Sequence, residues 1–528
     1  MSAGMYNLID EAWIPVTWSK TASGPDGSEL PDRVGFRRLL LDSHLIEGLA
    51  VPEAPAHAAV LRVLYALTLR VTRLDEAGPG DWGERRLDVW DEGRLPKRAI
   101  TEYLDGLHDR FHLFDPGNGR PWMQDLRLRE QCDPANTAGV DKLVVTRPSG
   151  NNHNWFGRLG MGAPHQPVSA ADAALNLLVW HYWGPSGRCS SRKVDGAADA
   201  HSSAGPLRTA LSYHPEGDTL FETLLAGLVR PETTVKRTED LCPWEQPALP
   251  DPGVAPRPHP GPCSRLTARS QHALLLVPDE SGNGGRVRDA FITWAYRGER
   301  LTRDDDYLVW QTSQQGNRYP RPADSRRALW RDVDALLLKE PPGASQPQQP
   351  KVFLEAHEVG EGLRVRALGF DQDGQAKDNQ FVDAATPPVL DLAERGNPAT
   401  APAVAKARQL GEMYGRRLDR AVKRAWGAYS REPKAKGKTR ADAWAAEAAV
   451  RYWPGAEAEF WHRFGLLDRT GAREDVGFDA GAARKAFLRL AEEAYDAVTH
   501  TVTSTQRGAE AVFEARIELY GRPRKARP

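Results

Sequence analysis

His108 and His112 lie four residues apart, with Asp115 three further on. Two imidazoles at that spacing share one face of a helix, the way many zinc proteins hold their metal. Hydrolytic zinc chemistry of that kind wants a glutamate directly after the first histidine, and Asp109 stands there instead, while Asp115-Pro116 opens a turn. Two readings stay open: a metal-dependent hydrolase or nuclease using His108, His112 and Asp115, or surface and capping histidines, the second being the default. Other reactive patterns fail in turn. There is no G-x-S-x-G elbow for a serine nucleophile and no G-x-x-x-x-G-K-[ST] loop for a nucleotide phosphate. Gly157, Gly160 and Gly162 are closely spaced but follow no strand pattern, so a flexible loop fits better than a dinucleotide turn. Cys132, Cys189, Cys242 and Cys263 are far apart, without the C-x-x-C pair of a zinc ribbon or a disulfide framework. No catalytic residue, metal or cofactor is expected.

What the chain offers is polar, glycine-bearing loops with cations close by. Residues 147–162, RPSGNNHNWFGRLGMG, combine amides, Arg147, Arg158 and the pair Trp155-Phe156. Amides and backbone N–H groups bind phosphates or base edges, and aromatic rings stack or wedge. The same rings equally suit a plain loop anchored in the core. Gly184-Pro185-Ser186-Gly187-Arg188, followed by Arg192 and Lys193, forms a second such loop. Glycine lets the backbone approach a groove closely; a helix exit turn is the competing reading. The whole chain is nearly neutral, with 70 Lys+Arg against 71 Asp+Glu and a net charge of -1. Any nucleic-acid affinity must therefore come from local concentration of charge. Residues 401–440 supply one, with twelve Lys/Arg against three Asp/Glu. Arg416, Arg417, Arg420, Lys423 and Arg424 fall on one helical stripe, a candidate phosphate surface, although charge runs are commonly solvated faces.

These groups need elements to carry them. A chain of 528 residues, 40% hydrophobic and 27% charged, suits a soluble protein of two or more domains. No leader of basic and then apolar residues opens it, and the apolar run at 173–183 is too short to span a bilayer. A cytoplasmic location with no membrane partner is expected. Residues 6–16 read as a strand ending in proline, and 17–31 as a surface turn. Residues 54–73 read as an amphipathic helix with Arg62 and Arg70 outward. Ser169 is a good helix N-cap with Asp172 in the first turn, and that helix should stop at Gly184-Pro185. Nine prolines between 231 and 262 enforce an irregular connection. Residues 271–294 predict a β-hairpin, and 352–355 and 363–370 further strands. Past Asn397-Pro398 the pattern becomes helical, over 401–430, 440–464, 481–503 and 506–520. The expected fold class is α+β: a large mixed α/β N-terminal domain, residues 1–396, followed by a C-terminal four-helix bundle, residues 397–528.

Several stretches match a known family in order along the chain. Residues 6–16 (YNLIDEAWIPV), Pro121-Trp122-Met123-Gln124, Ser149-Gly150-Asn151-Asn152-His153 and the end from Arg507-Gly508-Ala509 to Leu519-Tyr520-Gly521 are similar to landmarks of the CasA family. These are the large subunits of the type I-E CRISPR surveillance complex, Cascade. The resemblance implies a non-catalytic subunit that sits near the 5′ handle of the CRISPR RNA. Such a subunit reads the protospacer-adjacent motif (PAM) of double-stranded target DNA, helps initiate the R-loop, and recruits the helicase–nuclease in antiviral defence. Expected partners are therefore double-stranded target DNA, the CRISPR RNA 5′ handle, the other Cascade subunits and the helicase–nuclease effector.

By the same resemblance, the PAM-side loop corresponds to residues 152–157, with Asn154, Trp155 and Phe156. The glycine loop corresponds to Gly184, Ser186, Gly187 and Arg188. The glutamine wedge of a hairpin corresponds to Gln375, with Gln372 as the alternative register, and the minor-groove cation to Arg265 or Arg269. The physics suits such a reader. The minor groove separates mainly A·T from G·C, so recognition there leans on backbone approach and shape. An intruding side chain unstacks a base step at a cost of about a few kcal/mol, and guide pairing reads the remaining sequence.

Overall fold

A computed structural model describes residues 6–24, 27–117, 119–147, 166–280, 285–297, 304–338, 347–360, 362–373, 377–393, 400–430, 440–467 and 476–521. The chain divides into two compact units, one of residues 1–326 with 342–390 and one of residues 327–341 with 391–528.

The first unit is built round the helix Ala54–Thr72. The helices Ala170–Trp183, Pro262–Thr267 and Leu220–Ala226 and the strand Arg364–Asp373 all pack on it. No face is left for water, and Arg62 and Arg70 are 1% and 2% exposed. That corrects the amphipathic reading. A buried guanidinium is tolerated when its charge is paired. Arg62 donates to both Asp305 carboxylate oxygens at 2.8 and 2.9 Å and to Ser212 Oγ at 3.0 Å. Arg70 is shared between Asp75 and Glu245.

Several small antiparallel sheets surround this core. Ile14–Trp18 lies between Arg33–Val34 and Ile46–Leu49. The predicted hairpin is present as His272–Pro278 with Arg286–Trp294. Arg364–Asp373 pairs with Lys377–Ala385 on one side and Leu211–Glu216 on the other. Residues 352–355 are not a strand: Lys351–Phe353 is a 3-10 turn that buries Val352 and Phe353, and so short an apolar run does not declare its own period. A ribbon of Gly187–Val194 with Ala197–Ser202 was not anticipated. Its turn residues Asp195 and Gly196 have φ of +49° and +80°, and Asp-Gly is the sequence signal for such a hairpin.

In the second unit the helices Ala401–Ser430, Arg440–Gly465, Ala480–Thr499 and Gln506–Tyr520 form the cluster, the first packing on each of the other three. The third ends earlier than its pattern predicts and continues as a 3-10 turn, His500–Val502. Residues 327–341 belong to this unit although they precede residue 397. Buried Trp330 stacks on Phe460 at 5.0 Å, and Arg331 pairs with Glu412 at 2.6 Å. Among the described residues, no helix is long and apolar enough to cross a membrane.

Candidate nucleic-acid interface

The glycine loop follows a helix whose ends are both set by sequence. Ser169 Oγ accepts from the Asp172 N–H at 3.1 Å, and the Gly184 N–H donates to the Trp180 carbonyl at 3.1 Å. A Cβ at Gly184 would lie 2.6 Å from the His272 ring, so glycine is needed there for packing. At Gly187 the space is open but φ is +129°, a conformation side chains rarely adopt. The chain passes from buried Gly184 through half-buried Pro185 and Ser186 to exposed Gly187 and Arg188. The exposed end, where Gly187 pairs with Ser202 in the ribbon, therefore sets a position without a side chain beside a guanidinium, a combination suited to a phosphate or groove edge. The Arg188 carbonyl is held by Lys142 Nζ at 3.2 Å.

The hairpin strands Arg364–Asp373 and Lys377–Ala385 flank residue 375; Gln375 itself lies outside the described residues, as do Asn154, Trp155 and Phe156. Gln372 is described, and its Oε1 accepts from the Thr209 N–H at 2.7 Å, which occupies it within the protein. Its neighbour Asp371 accepts from the N–H and Oγ of Ser325 at 2.9 and 2.6 Å.

One short strap, residues 205–211, ties loop and hairpin together. At its start the Gly205 N–H donates to the Gly184 carbonyl and the Leu207 N–H to the Tyr182 carbonyl, both at 2.9 Å. At its end Thr209 holds Gln372, and Leu211 pairs with Gly369. Glycine at 369 is required, because a Cβ there would sit 2.8 Å from the Ala210 carbonyl. Sequence reasoning missed this strap; the Gly205-Pro206 step marks no more than a turn.

Three cations expected near these segments are otherwise engaged. Arg192 is 0% exposed, donating to Gln131, the Trp294 carbonyl and Asp125 at 2.8, 3.0 and 2.7 Å. Burial opposes ionisation of Asp125, yet the Arg127 hydrogen bonds and the Arg192 charge hold its carboxyl below the usual carboxylate range. Arg269 is 5% exposed, 3.7 Å from Asp305 and bonded to the Asp304 carbonyl, so it is withdrawn from the groove-facing set. Arg265 pairs with Asp306 at 3.2 Å and keeps 21% side-chain exposure. The physical reason is common to all three: the acidic run Asp304-Asp305-Asp306, or Asp125, supplies the carboxylate that a guanidinium withdrawn from water requires.

The basic stripe on Ala401–Ser430 is sorted by the helix's neighbours. Arg416 is 67% exposed, 4.0 Å from Glu412, and Arg420 is exposed with no ion pair among the described residues. Lys423 bridges Asp419 and Asp442 at 3.0 and 3.2 Å, Arg424 meets Glu518 at 2.7 Å, and Arg417 donates to the Leu519 carbonyl at 3.3 Å. Arg416 and Arg420 line a cleft of about 340 Å³ with Arg331, Trp453, Glu412 and Asp419.

The metal trio is rearranged. The helix Lys97–Gly106 ends before His108, which stands in the 3-10 turn His108–Arg110, so the two histidines share no α-helical face. Their rings nevertheless meet edge-on at 5.5 Å. Asp115 is elsewhere, accepting from Arg129 at 2.7 Å and from the Gly117 N–H at 2.9 Å, and Asp109 takes its place beside the histidines.

Comparison with known proteins agrees over nearly the whole chain. The family model for the CRISPR-associated protein Cse1 matches residues 7–498. A CRISPR-associated protein CasA/Cse1 from Thermus thermophilus is 29% identical over 403 residues, covering 70% of this chain and 68% of that relative. A chain of a solved CRISPR RNA-guided surveillance complex is similar with a TM-score of 0.85 at 35% identity, covering 98% of this chain and 99% of that one. The crystal structure of Thermobifida fusca Cse1 has a TM-score of 0.74 at 20% identity over 97% of each chain, a likeness of fold.

Proposed function

Because the chain belongs to the CRISPR-associated protein Cse1 family, we propose that it is the non-catalytic large subunit of an RNA-guided surveillance complex of the Cascade kind. It reads the PAM in double-stranded DNA, promotes R-loop initiation and recruits a helicase–nuclease to the opened target. The observation that carries this reading is the shared strap: Gly184 and Gln372 are both hydrogen-bonded to residues 205–211. A backbone reader and a hairpin wedge must act on adjacent base pairs, and one strap bonded to both supports that. Gly187 and Arg188 meet the duplex first, through a position without a side chain and a cation. Residue 375, between the two hairpin strands, then enters the neighbouring step, where the intruding side chain unstacks the bases at a cost that the added protein contacts offset. Arg416 and Arg420 add phosphate contacts that carry no sequence information.

The deciding experiment compares DNA binding by the complex reconstituted with guide RNA, with and without this subunit, on targets that differ only in the PAM. A PAM-dependent difference that vanishes when the subunit is omitted supports the reading. An identical PAM preference in its absence reduces the chain to a structural assembly subunit. The hydrolase or nuclease alternative loses its third residue, since Asp115 is bonded to Arg129 and not to the histidines.

A further inference from the structure

We propose that His108, Asp109 and His112 form a binding site for one divalent transition-metal ion, which staples the 3-10 turn after the Lys97–Gly106 helix to His112. One ligand atom from each residue lies within 4.8 Å of the others. Their backbone is already fixed. Asn7 Nδ2 donates to the His108 carbonyl at 2.9 Å, the Arg110 N–H to the Leu107 carbonyl at 2.8 Å, and the Trp122 N–H to the His112 carbonyl at 2.7 Å. Phe111, between the two histidines, is 0% exposed. Drawing the three atoms onto one ion therefore takes side-chain rotation alone.

The two ring nitrogens of His108 face different carboxylates. Nδ1 is 3.9 Å from Asp109 Oδ1, and Nε2 is 3.6 Å from Asp10 Oδ2. Asp10 is itself held by Arg37 Nε at 2.7 Å. A carboxylate on the far nitrogen is the usual partner of a metal-bound imidazole, setting its tautomer and orientation. On the other histidine, Nδ1 of His112 is buried with no hydrogen-bond partner. His108 Nδ1 has one further neighbour, Asn7 Nδ2 at 3.5 Å, a long contact that an ion would displace.

Two imidazoles and one carboxylate suit Zn²⁺, or Co²⁺ and Ni²⁺ as surrogates, and not the all-oxygen preference of Ca²⁺ or Mg²⁺. Asp109, 95% exposed on its side chain, leaves the outward coordination positions to water. No reaction is assigned to the ion; what it joins is the turn His108–Arg110 and His112, with Asp10 facing the far nitrogen of His108.

The test is equilibrium dialysis of the tag-free full-length chain against Zn²⁺, with Co²⁺ absorption reporting imidazole ligation. One equivalent should bind and raise the melting temperature. His108→Ala or His112→Gln should weaken binding at least about 100-fold, and Asp10→Asn about 10- to 100-fold. Asp115→Asn should leave it unchanged. Unfolding curves of the metal-free variants, compared with metal-free wild type, separate loss of ligation from loss of fold. Undiminished Zn²⁺ binding by correctly folded His112→Gln, or absence of a stoichiometric site in the wild-type chain, overturns the proposal.

Discussion

The backbone N–H of Thr209 donates to Oε1 of Gln372 at 2.7 Å, with Thr209 held at φ +66°. A β-branched residue in the left-handed region is strained and persists only where its surroundings over-determine it. Here the Gln372 amide, the Ala323 N–H on the Thr209 carbonyl at 2.9 Å and the pairing of Leu211 with Gly369 do so. The turn end of the hairpin is thereby fastened to the strap that also holds Gly184.

The two glutamines should therefore separate by phenotype. Gln375→Ala should lower R-loop yield, read by permanganate reactivity of the displaced strand, while leaving initial duplex docking within about twofold. Gln372→Ala removes a hydrogen bond to a strained backbone and should reduce stability by about 1–3 kcal/mol. Equal R-loop yield for Gln375→Ala and wild type would exclude residue 375 as the wedge.

In the second unit, Arg416, Arg420 and Arg424 are the exposed members of the basic stripe, and Arg424 is taken up by Glu518 at 2.7 Å. If each neutralises one phosphate, Arg416→Glu with Arg420→Glu should flatten the slope of log K against log[salt] by about 2 for the assembled complex. Arg417→Ala should act through the bundle instead, since its guanidinium donates to the Leu519 carbonyl. An unchanged slope in the double variant removes the stripe from DNA binding.

The pH dependence of stability follows from enclosed histidines. Burial lowers His181 and His272 to a pKa of about 4 and His57 to about 3. In the unfolded chain each returns to about 6.5. Between those values the unfolded state binds protons that the folded state does not, so stability is full above pH 6.5 and falls as the pH drops toward 4. The slope is on the order of 1 kcal/mol per pH unit per histidine. Urea unfolding at pH 7 and pH 5 should show this loss, and His181→Gln should reduce it. An unaltered pH slope in that variant would mean that His181 is not one of the groups responsible.

Arg62 tests how far the core of the first unit depends on a paired charge. Its side chain is 1% exposed and that of Asp305 6%. Arg62→Met should destabilise by about 3–5 kcal/mol by leaving the Asp305 carboxylate with Arg269 alone, 3.7 Å away, and Arg62→Met with Asp305→Asn should recover part of that loss. A single variant that unfolds at the wild-type denaturant concentration would show that the pair contributes nothing net.

Local chemistry made much of this protein readable in advance. Ser169 and Gly184 bound a helix at the predicted residues because capping and exit are decided by the side chains there. The 401–430 helix and the 272–294 hairpin declared themselves by period and turn residues, and ordered landmarks announced the family. What the sequence alone could not decide was which charges remain in water and which distant segments meet. Arg62, Arg70, Arg192 and Arg269 look like surface cations in one dimension, and they are buried because acids from remote parts of the chain arrive to pair them. The replacement of Asp115 by Asp109 beside the histidines, and the joining of Gly184 to Gln372 through the 205–211 strap, likewise required the folded chain. Periodicity and capping act over a few residues, whereas charge pairing and strap contacts are set by long-range closure that leaves no local trace.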